Sequence, residues 1–230
     1  MTKKIHLFRS IVLSTGLAAL PAAAQMSWYA IAAGGAARTD INAVRNREET
    51  LINVSSLQTD FDDKDATWKL SAGLRLNRAL ALELSYVDLG KATTTTRGLG
   101  GDPAYPFGFI VGRKVTGLGL DLVGSVPVLP RYLDLIGKLG VYRTTLKADA
   151  TLEGNIVFSN NPGDTHRSAE RKEDTTHIGI GLQHVITPRW SVRAEYERFF
   201  SIGKPFQIGG VGTTGEADID VAWIGIVGTF

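Results

Sequence analysis

Two alternating apolar runs joined by a short turn, within residues 66–90, constrain the fold more than any other part of the chain. Every second residue of both runs is apolar: Trp68, Leu70, Ala72, Leu74 and Leu76, then Leu80, Leu82, Leu84 and Tyr86. Side chains of a strand alternate between its two faces, so each run predicts a strand with one wholly apolar face. Asn77 and Arg78 separate the runs, and the stretch therefore predicts a β-hairpin.

The other face of this hairpin indicates its environment. It carries Lys69, Arg75 and Glu83 in mid-strand, separated by glycine, serine and alanine. In a soluble sheet the apolar face would be the core. Charged residues spaced by small ones suit instead the narrow, polar interior of a small membrane barrel, whose apolar outside contacts lipid.

The N-terminus has the three parts of a secretory signal peptide. Lys3, Lys4 and Arg9 form a basic segment, residues 11–20 are mostly apolar, and three alanines at 22–24 provide a small-x-small cleavage site. The apolar run is shorter than the roughly 20 residues that a membrane-spanning helix needs. We therefore expect residues 1–24 to be a cleaved signal peptide and residues 25–230 to form one mature domain.

Loss of the signal peptide changes the charge balance. The full chain has 25 basic and 23 acidic residues, and residues 1–24 contain three basic and no acidic ones, so the mature chain keeps 22 basic against 23 acidic residues. A chain this close to neutral gives no reason to expect nucleic acid as a partner. The absence of cysteine excludes disulfides, thiol chemistry and attachment of lipid to an N-terminal cysteine.

Six further segments resemble the two strands of the hairpin. Their ranges are 28–38, 115–126, 132–144, 176–185, 190–199 and 221–230. Together they predict eight strands of about ten residues, the length that a tilted strand needs to cross a bilayer. An open sheet cannot satisfy its backbone hydrogen bonds in lipid, so residence in a membrane requires these strands to close into a barrel.

The predicted connections alternate in length. The short turns are 77–78, 127–131 and 186–189, and the long polar loops are 41–65, 91–114, 145–175 and 200–220. Short turns on one side and long loops on the other are typical of an outer-membrane barrel, whereas a soluble β-sandwich has no reason to segregate them. Aromatic residues near strand ends fit an interfacial girdle: Trp28, Trp68, Tyr86, Trp190, Tyr196 and Phe230. Trp223 has inward parity and no predicted role.

Four segments, in this order and spacing, resemble the transmembrane domain of the OmpA-like family of outer-membrane proteins. They are WYAIAAGGAA at the first strand, WKLSAGLRLNRALALELSYVDLG at the hairpin, GKLGVYR at 137–143 and GIGLQHVITPRWSVRAEYERF at 179–199. The resemblance implies an all-β fold, an eight-stranded antiparallel up-and-down transmembrane β-barrel, in the outer membrane of a Gram-negative bacterium. Many relatives continue into a peptidoglycan-binding domain, which we do not expect here because the sequence stops at the eighth strand.

The resemblance also implies partners. The final Phe230 resembles the signal that the outer-membrane assembly machinery reads, although Gly228 stands where an aromatic residue is common. We expect a monomer that contacts outer-membrane lipids, lipopolysaccharide, the assembly machinery and periplasmic chaperones. No cofactor is expected.

Charged residues of inward parity are the candidate site. Glu83, Arg193 and Glu195 match family positions whose side chains meet inside the barrel. Further inward candidates follow from strand parity: Lys69, Arg75, Lys138 and Asp121. A charge in a narrow lumen costs several kcal/mol unless it is paired or hydrated. The sequence therefore predicts an ion-pair network in the lumen.

Two roles for this network remain open. It is either a structural plug or a gate whose pairs switch to open a narrow, low-conductance pore for small solutes. Gln183 stands at the family's second interior acidic position and Ala33 at its first-strand basic position, which leaves fewer alternative partners for a gate. Small eight-stranded barrels are generally filled by side chains, which favours the plug.

A third function, modification of lipid A, depends on a possible acyl-transfer site. His166 and Ser168, with Asp164 and Glu170 nearby, have the residue types of a Ser–His pair with an orienting acid. They fall in the predicted polar loop 160–174, whose composition alone explains them, so we expect no enzyme. His177 and His184 have opposite parity, and we expect no metal site.

Loop cations give a possible contact with lipopolysaccharide phosphates. They lie in the first and third predicted loops: Arg45, Arg47, Arg167, Arg171 and Lys172. Interspersed acidic residues make simple solvation an equally good explanation. The leading function predicted from the sequence is a structural, surface-interacting outer-membrane barrel.

Overall fold

The computed structural model describes residues 26–40, 54–100, 105–154, 156, 163–204, 207–208, 211–212 and 217–230. The predicted signal peptide and the first-loop residues Arg45 and Arg47 lie outside these ranges. The described residues contain no helix long and apolar enough to cross a membrane.

The described chain forms eleven β-strands. In chain order they are β1 Ser27–Thr39, β2 Val54–Asp62, β3 Lys64–Arg75, β4 Leu80–Gly100, β5 Tyr105–Leu129, β6 Leu133–Gly154, β7 His166–Val185, β8 Trp190–Ile202, β9 Gln207–Ile208, β10 Val211–Gly212 and β11 Ala217–Thr229.

The strands close into a ring. Strand β1 pairs with both β3 and β11, and the order around the ring is β1, β3, β4, β5, β6, β7, β8 and β11, with antiparallel neighbours throughout. Strand β2 continues the line of β3 along the outer part of β4, while β9 and β10 form a separate two-stranded sheet. The predicted eight-stranded antiparallel up-and-down barrel is confirmed.

Short turns join β3 to β4, β5 to β6 and β7 to β8, and we call this side of the barrel the turn end and the opposite side the loop end. At the first turn, the Asn77 carboxamide oxygen accepts hydrogen bonds from the backbone N–H groups of Ala79 and Leu80, both 2.8 Å long. An asparagine side chain that bonds its own chain two and three residues on stabilises a tight turn. The predicted hairpin of residues 66–90 forms around this turn.

Four strands are about twice the predicted length. Strands β4, β5, β6 and β7 have 21, 25, 22 and 20 residues, so most of the predicted loops 91–114 and 145–175 is strand. The loop prediction is wrong there because the polar residues are themselves good strand formers. Residues 92–97 (ATTTTR) pair with residues 108–113, and β-branched threonine suits a strand as well as a loop.

The outside of the barrel carries an apolar belt. Its large side chains are 46–65% exposed: Leu70, Leu84, Leu118, Leu120, Leu122, Leu139, Val141, Ile178, Ile180, Ile224 and Ile226. Trp28 and Trp190 border this belt at the turn end, and Trp68, Tyr86 and Tyr196 border it at the loop end. The rings of Trp68 and Tyr86 lie 5.4 Å apart. The strands between the two aromatic rows are the membrane-spanning segments. The long strands β4–β7 continue beyond the loop-end row, and we call these extensions the outer wall.

Candidate functional site

Six charged side chains meet inside the barrel, and we call them the lumen cluster. They are 0–6% exposed and come from four strands: Lys69, Glu83, Lys138, Arg193, Glu195 and Glu197. Five of these were predicted as members of the network. Glu197 has the same parity as Arg193 and Glu195 on β8 but was not among the predicted residues.

Each cation of the lumen cluster has more than one partner. Lys69 Nζ lies 2.6 Å from Glu195 Oε2 and 2.7 Å from Glu197 Oε1. Lys138 Nζ lies 2.6 Å from Glu83 Oε2, 2.7 Å from Glu195 Oε1 and 3.4 Å from Glu197 Oε1. Shared partners hold each side chain from two or more directions, so the cluster acts as one unit rather than as separate pairs.

Arg193 joins the cluster to its polar surroundings at the turn end. Its guanidinium is ion-paired with Glu83 and donates to the Gln183 carboxamide oxygen at 2.8 and 3.0 Å. Gln183 therefore satisfies the second side of the guanidinium where the family pattern has an acid. The Tyr29 hydroxyl donates to Glu83 Oε1 at 2.7 Å.

Small residues on neighbouring strands make room for the cluster. On one of its two neighbouring strands, each charged residue has a small direct partner: Gly73 for Glu83, Gly181 for Glu195, Gly225 for Arg193, and Gly179 for both Lys138 and Glu197. The small partner of Lys69 is Ala33. Because a direct partner projects from the same face only about 5 Å away, a larger residue there would occupy the space of the charged side chain.

A second group of polar residues borders the cluster toward the loop end. Of this group, only Asp121 was predicted from the sequence. His177 Nδ1 lies 2.9 Å from Asp121 Oδ1, and its Nε2 lies 3.4 Å from Glu197 Oε2. The Tyr142 hydroxyl donates to Asp121 Oδ2 at 2.7 Å, and Trp223 Nε1 donates to Glu197 Oε2 at 2.7 Å. Inward parity was the available signal for all of them, and the bond to Glu197 gives Trp223 its role.

The charges of this region nearly cancel. Three cations, Lys69, Lys138 and Arg193, face four carboxylates, those of Glu83, Glu195, Glu197 and Asp121. His177 contacts two of the four carboxylates, so its protonated form makes the count equal.

Apolar layers close the lumen on both sides of the charges. Toward the loop end lies a buried layer of Ala37, Val87, Leu89, Val115, Tyr142, Leu146, Phe199, Ile202, Ile219, Val221 and Trp223. Toward the turn end lies a smaller buried layer of Tyr29, Ile31, Ala81, Val123, Ile136 and Val227. The lumen cluster thus lies between two apolar layers, which we call the loop-end seal and the turn-end seal. At the turn end, Arg193 and Gln183 also line an open vestibule.

Arg75 lies apart from the network to which the sequence assigned it. It borders an open vestibule at the turn end, together with Asp134, and its guanidinium carbon lies 5.6 Å from the centre of the Tyr29 ring. Among the described residues it has no ion pair with a carboxylate. The reason is its position: Arg75 is the last residue of β3, and its side chain lies one inward-facing layer closer to the turn end than the buried charges.

Comparison with known families identifies the chain. The family described as the outer membrane protein beta-barrel domain matches residues 10–229. The chain belongs to this family. Membership places this outer-membrane barrel in the envelope of a Gram-negative bacterium, as the sequence predicted, and the resemblance to OmpA-like barrels is confirmed.

Several solved outer-membrane barrels are similar to this family member. Neisserial surface protein A is 15% identical, with 88% of this chain and 97% of that chain covered and a TM-score of 0.49. OprG from Pseudomonas aeruginosa is 12% identical, with 89% and 96% covered and a TM-score of 0.49. Ail from Yersinia pestis is 16% identical, with 88% and 98% covered and a TM-score of 0.42. The comparison with curated proteins found no match.

Three of the four candidate acyl-transfer residues lie on β7 rather than in the predicted loop, and Asp164 lies just before this strand. His166 and Ser168 are exposed residues of β7, and His166 Nδ1 is hydrogen-bonded to Thr151 Oγ1 at 3.1 Å. Glu170 is within 3.8 Å of Lys147 and 3.7 Å of Lys172, and Asp164 pairs with Arg167 at 2.6 Å. In the described contacts, His166, Glu170 and Asp164 are thus paired with residues other than Ser168.

Phe230 lies at the turn end of the outer-membrane barrel. Its side chain is 81% exposed, and its backbone N–H donates to the Trp28 carbonyl at 2.9 Å. The described residues contain no group of three or more histidine, cysteine or acidic residues suited to a metal ion.

Arg198 and Asp220 form a bidentate pair beyond the loop-end aromatic row of the outer-membrane barrel. Nε lies 2.6 Å from Oδ1, and Nη2 lies 2.6 Å from Oδ2. The hydrogen bonds from Arg198 lower the pKa of Asp220 below its ordinary value. A carboxyl with a lowered folded pKa stabilises the fold above its unfolded pKa of about 4, and this contribution is lost as the pH falls through the folded pKa.

We expect Arg198→Met to raise the pKa of Asp220, because the two charge-assisted hydrogen bonds are lost. Arg198→Lys keeps the charge but not the two-bond geometry, so we expect a smaller increase. NMR titration of the aspartate side-chain carboxyl in detergent micelles measures both. Equal Asp220 titration curves in the wild type and in Arg198→Met would show that the pair does not set this pKa.

Proposed function

We propose that the protein is a closed structural barrel of the outer membrane that presents a rigid surface to the exterior and conducts no solute. The single observation that supports this function most directly is the lumen cluster, which is buried between two apolar seals. The proposed site residues are Glu83, Lys69, Lys138, Arg193 and Glu195, to which Glu197 is added.

The multiple pairing of the cluster argues against a gate. A gate needs a charged side chain to leave one partner for another across open space. Lys138 already contacts three carboxylates within 3.4 Å, so moving it would take a shared cation from three buried carboxylates at once. Breaking a buried pair costs about 3–5 kcal/mol. An arrangement with a broken pair would therefore be populated only rarely.

The apolar seals argue against a pore independently of the charges. Phe199 and Val221 are 0% exposed and lie in the loop-end layer. A hydrophobic constriction disfavours continuous water, which ions need in order to pass. A pore would therefore require both the seals and the cluster to rearrange.

The outer wall supports the surface role. Strands β4–β7 continue well past the aromatic row, so the exterior part of these segments is hydrogen-bonded sheet. A hydrogen-bonded wall holds its side chains in fixed positions, which suits contact with outer-leaflet lipids or with macromolecules outside the cell. We also propose that Phe230, with its exposed ring at the turn end, serves as the signal for the assembly machinery.

Planar-bilayer recording tests the closed state. We expect the refolded wild-type barrel to give no stepwise current, because the loop-end seal and the paired charges leave no continuous path for water. Phe199→Ala/Trp223→Ala, which thins the loop-end seal, is the matched comparison, and heat-dependent mobility on gels checks that each sample is folded. Discrete current steps from folded wild-type protein, absent after boiling, would overturn the proposal in favour of the narrow pore.

A further inference from the structure

Three lysines form a row across adjacent strands of the outer wall, and we call them the lysine row. Lys91 of β4 is the direct partner of Lys114 of β5, and Lys114 is the direct partner of Lys147 of β6. All three side chains are exposed on the outer face. Direct partners project from the same side of a sheet, so three ammonium groups stand side by side at one level.

The row lies just outside the membrane-spanning segments. On β5 the large apolar residue of the belt nearest to the loop end is Leu118, four residues after Lys114, which is roughly 13 Å along the strand. Strand tilt shortens this distance along the membrane normal, so the row lies about 10 Å beyond the hydrocarbon. The headgroup layer extends roughly 5–8 Å beyond the hydrocarbon on each side. The row therefore stands at the outer margin of this layer, and the long lysine side chains reach back into it.

Like charges directly opposite each other destabilise a sheet, so such a row requires compensation. The chain compensates it only in part. Asp88 lies 2.9 Å from Lys114, which raises the pKa of Lys114 and keeps it charged. Glu170 lies 3.8 Å from Lys147 but is shared with Lys172 at 3.7 Å. Among the described residues, no carboxylate is ion-paired with the Lys91 ammonium. Two carboxylates are nevertheless close: Asp65 Oδ2 accepts a hydrogen bond from the Lys91 backbone N–H at 2.7 Å, and Asp149 is the direct partner of Gly112.

The side chain of Lys91 lies across the neighbouring strand β5 at Gly112. A Cβ added at Gly112 would lie 2.6 Å from Lys91 Cε and 3.1 Å from its Nζ, so the lysine stem crosses the bare backbone of β5 at this glycine. The ammonium group is thereby held close to the neighbouring strand that carries Lys114. The row has the extent and charge that suit an anion with more than one phosphate.

We propose that Lys91, Lys114 and Lys147 form a binding site for the phosphate groups of the outer-leaflet glycolipid, lipid A. The chemistry is pairing of lysine ammonium groups with phosphate oxygens at a water–lipid boundary. The inference deepens the proposed surface role and rests on it for the orientation of the loop end toward the exterior. It uses none of the loop cations that the sequence singled out.

Native mass spectrometry of the folded barrel in detergent tests the site, with bisphosphorylated lipid A as the probe and the same lipid without phosphates as the comparison. The test variant is Lys91→Gln/Lys114→Gln/Lys147→Gln. The matched control is Arg78→Gln/Arg131→Gln/Arg189→Gln, which removes three exposed cations from the turn end. We expect at least about tenfold weaker binding of the phosphorylated probe in the test variant and unchanged binding in the control.

Equal retention of the two probes by the wild type, or equal losses in the two variants, would overturn the proposal. The first result would mean that acyl chains alone hold the lipid, and the second that net charge alone does. The single variant Lys91→Gln is expected to give an intermediate loss. If the wild type conducts current but still binds the phosphorylated probe selectively, the closed-barrel function is wrong and the lysine-row proposal is kept. The two proposals can therefore fail separately.

Discussion

Replacing Lys138 with methionine is expected to lower the free energy of unfolding by about 3–5 kcal/mol, the largest effect of any single charge in the lumen. The ammonium group lies within 3.4 Å of carboxylates from Glu83, Glu195 and Glu197. Methionine has nearly the same length and adds no charge, so the packing changes little. The three carboxylates would keep their burial and lose a shared cation.

Urea unfolding of the barrel in lipid vesicles, followed by tryptophan fluorescence and by the mobility of unboiled samples on gels, measures this change. Lys172→Met is the matched control, because that lysine is 61% exposed and its distance to Glu170 is 3.7 Å. Surface pairs of this kind contribute little, so we expect a change within about 0.5 kcal/mol.

A companion variant separates charge from packing. In the Lys138→Met background, Glu195→Gln removes one of the negative charges that lost a shared cation, and we expect it to recover part of the stability. A loss below about 1 kcal/mol for Lys138→Met alone would mean that water already solvates the lumen. That result would weaken the sealed plug and strengthen the pore.

Strand parity was enough to predict most of the lumen cluster. The alternation around Glu83 and around Arg193 and Glu195 assigns these side chains to one face, and an apolar opposite face can only be the lipid side in a barrel. The same rule placed Lys69 and Lys138 inside. The predicted ring of eight antiparallel strands followed from the same alternation and from the segregation of short turns.

Contacts across the lumen could not be predicted, because they depend on the stagger of strands around the whole ring. Trp223 is the direct partner of Glu195, yet its indole N–H bonds Glu197 two positions along β8. Lys69 meets Glu195 and Glu197 from the far side of the barrel. No local pattern contains these distances, since they follow from strand tilt and shear.

The ends of the strands beyond the membrane could not be predicted either. In the lipid belt the apolar alternation marks each strand, whereas beyond it residues 93–97 are all polar and show no alternation. Composition then predicts a loop, and the actual ladder between β4 and β5 depends on pairing that the sequence does not display. The lysine row was hidden by the same error, because Lys91 and Lys114 were taken as the two ends of one loop.

Aromatic rings placed over glycines connect the two halves of the lumen. The ring of Tyr142 lies over its direct partner Gly119, and the ring of Tyr29 lies over its direct partner Gly73. A glycine leaves the backbone surface open, so the ring can lie flat on the wall and point its hydroxyl at a carboxylate. These two tyrosines thereby belong both to an apolar seal and to the polar network.

Gly119→Ala is accordingly expected to destabilise the barrel by about 2–5 kcal/mol, combining overpacking with the loss of a buried hydrogen bond. An alanine methyl at this position would overlap the Tyr142 ring. The displaced ring would lose the 2.7 Å bond to Asp121 and its edge contacts with His177 and Phe199, both with ring centres 5.1 Å apart. Urea unfolding in vesicles measures the change.

Gly137→Ala is the matched control for this substitution. It also lies in the barrel wall, on β6, but a Cβ there has no neighbouring atom within 4 Å, so we expect a change of no more than about 0.5 kcal/mol. Combining Gly119→Ala with Tyr142→Leu should cost less than the sum of the two single changes, because the leucine no longer needs the space over the glycine. Additive losses, or equal losses at positions 119 and 137, would show that the ring does not depend on the glycine and that the loop-end seal is set by other residues.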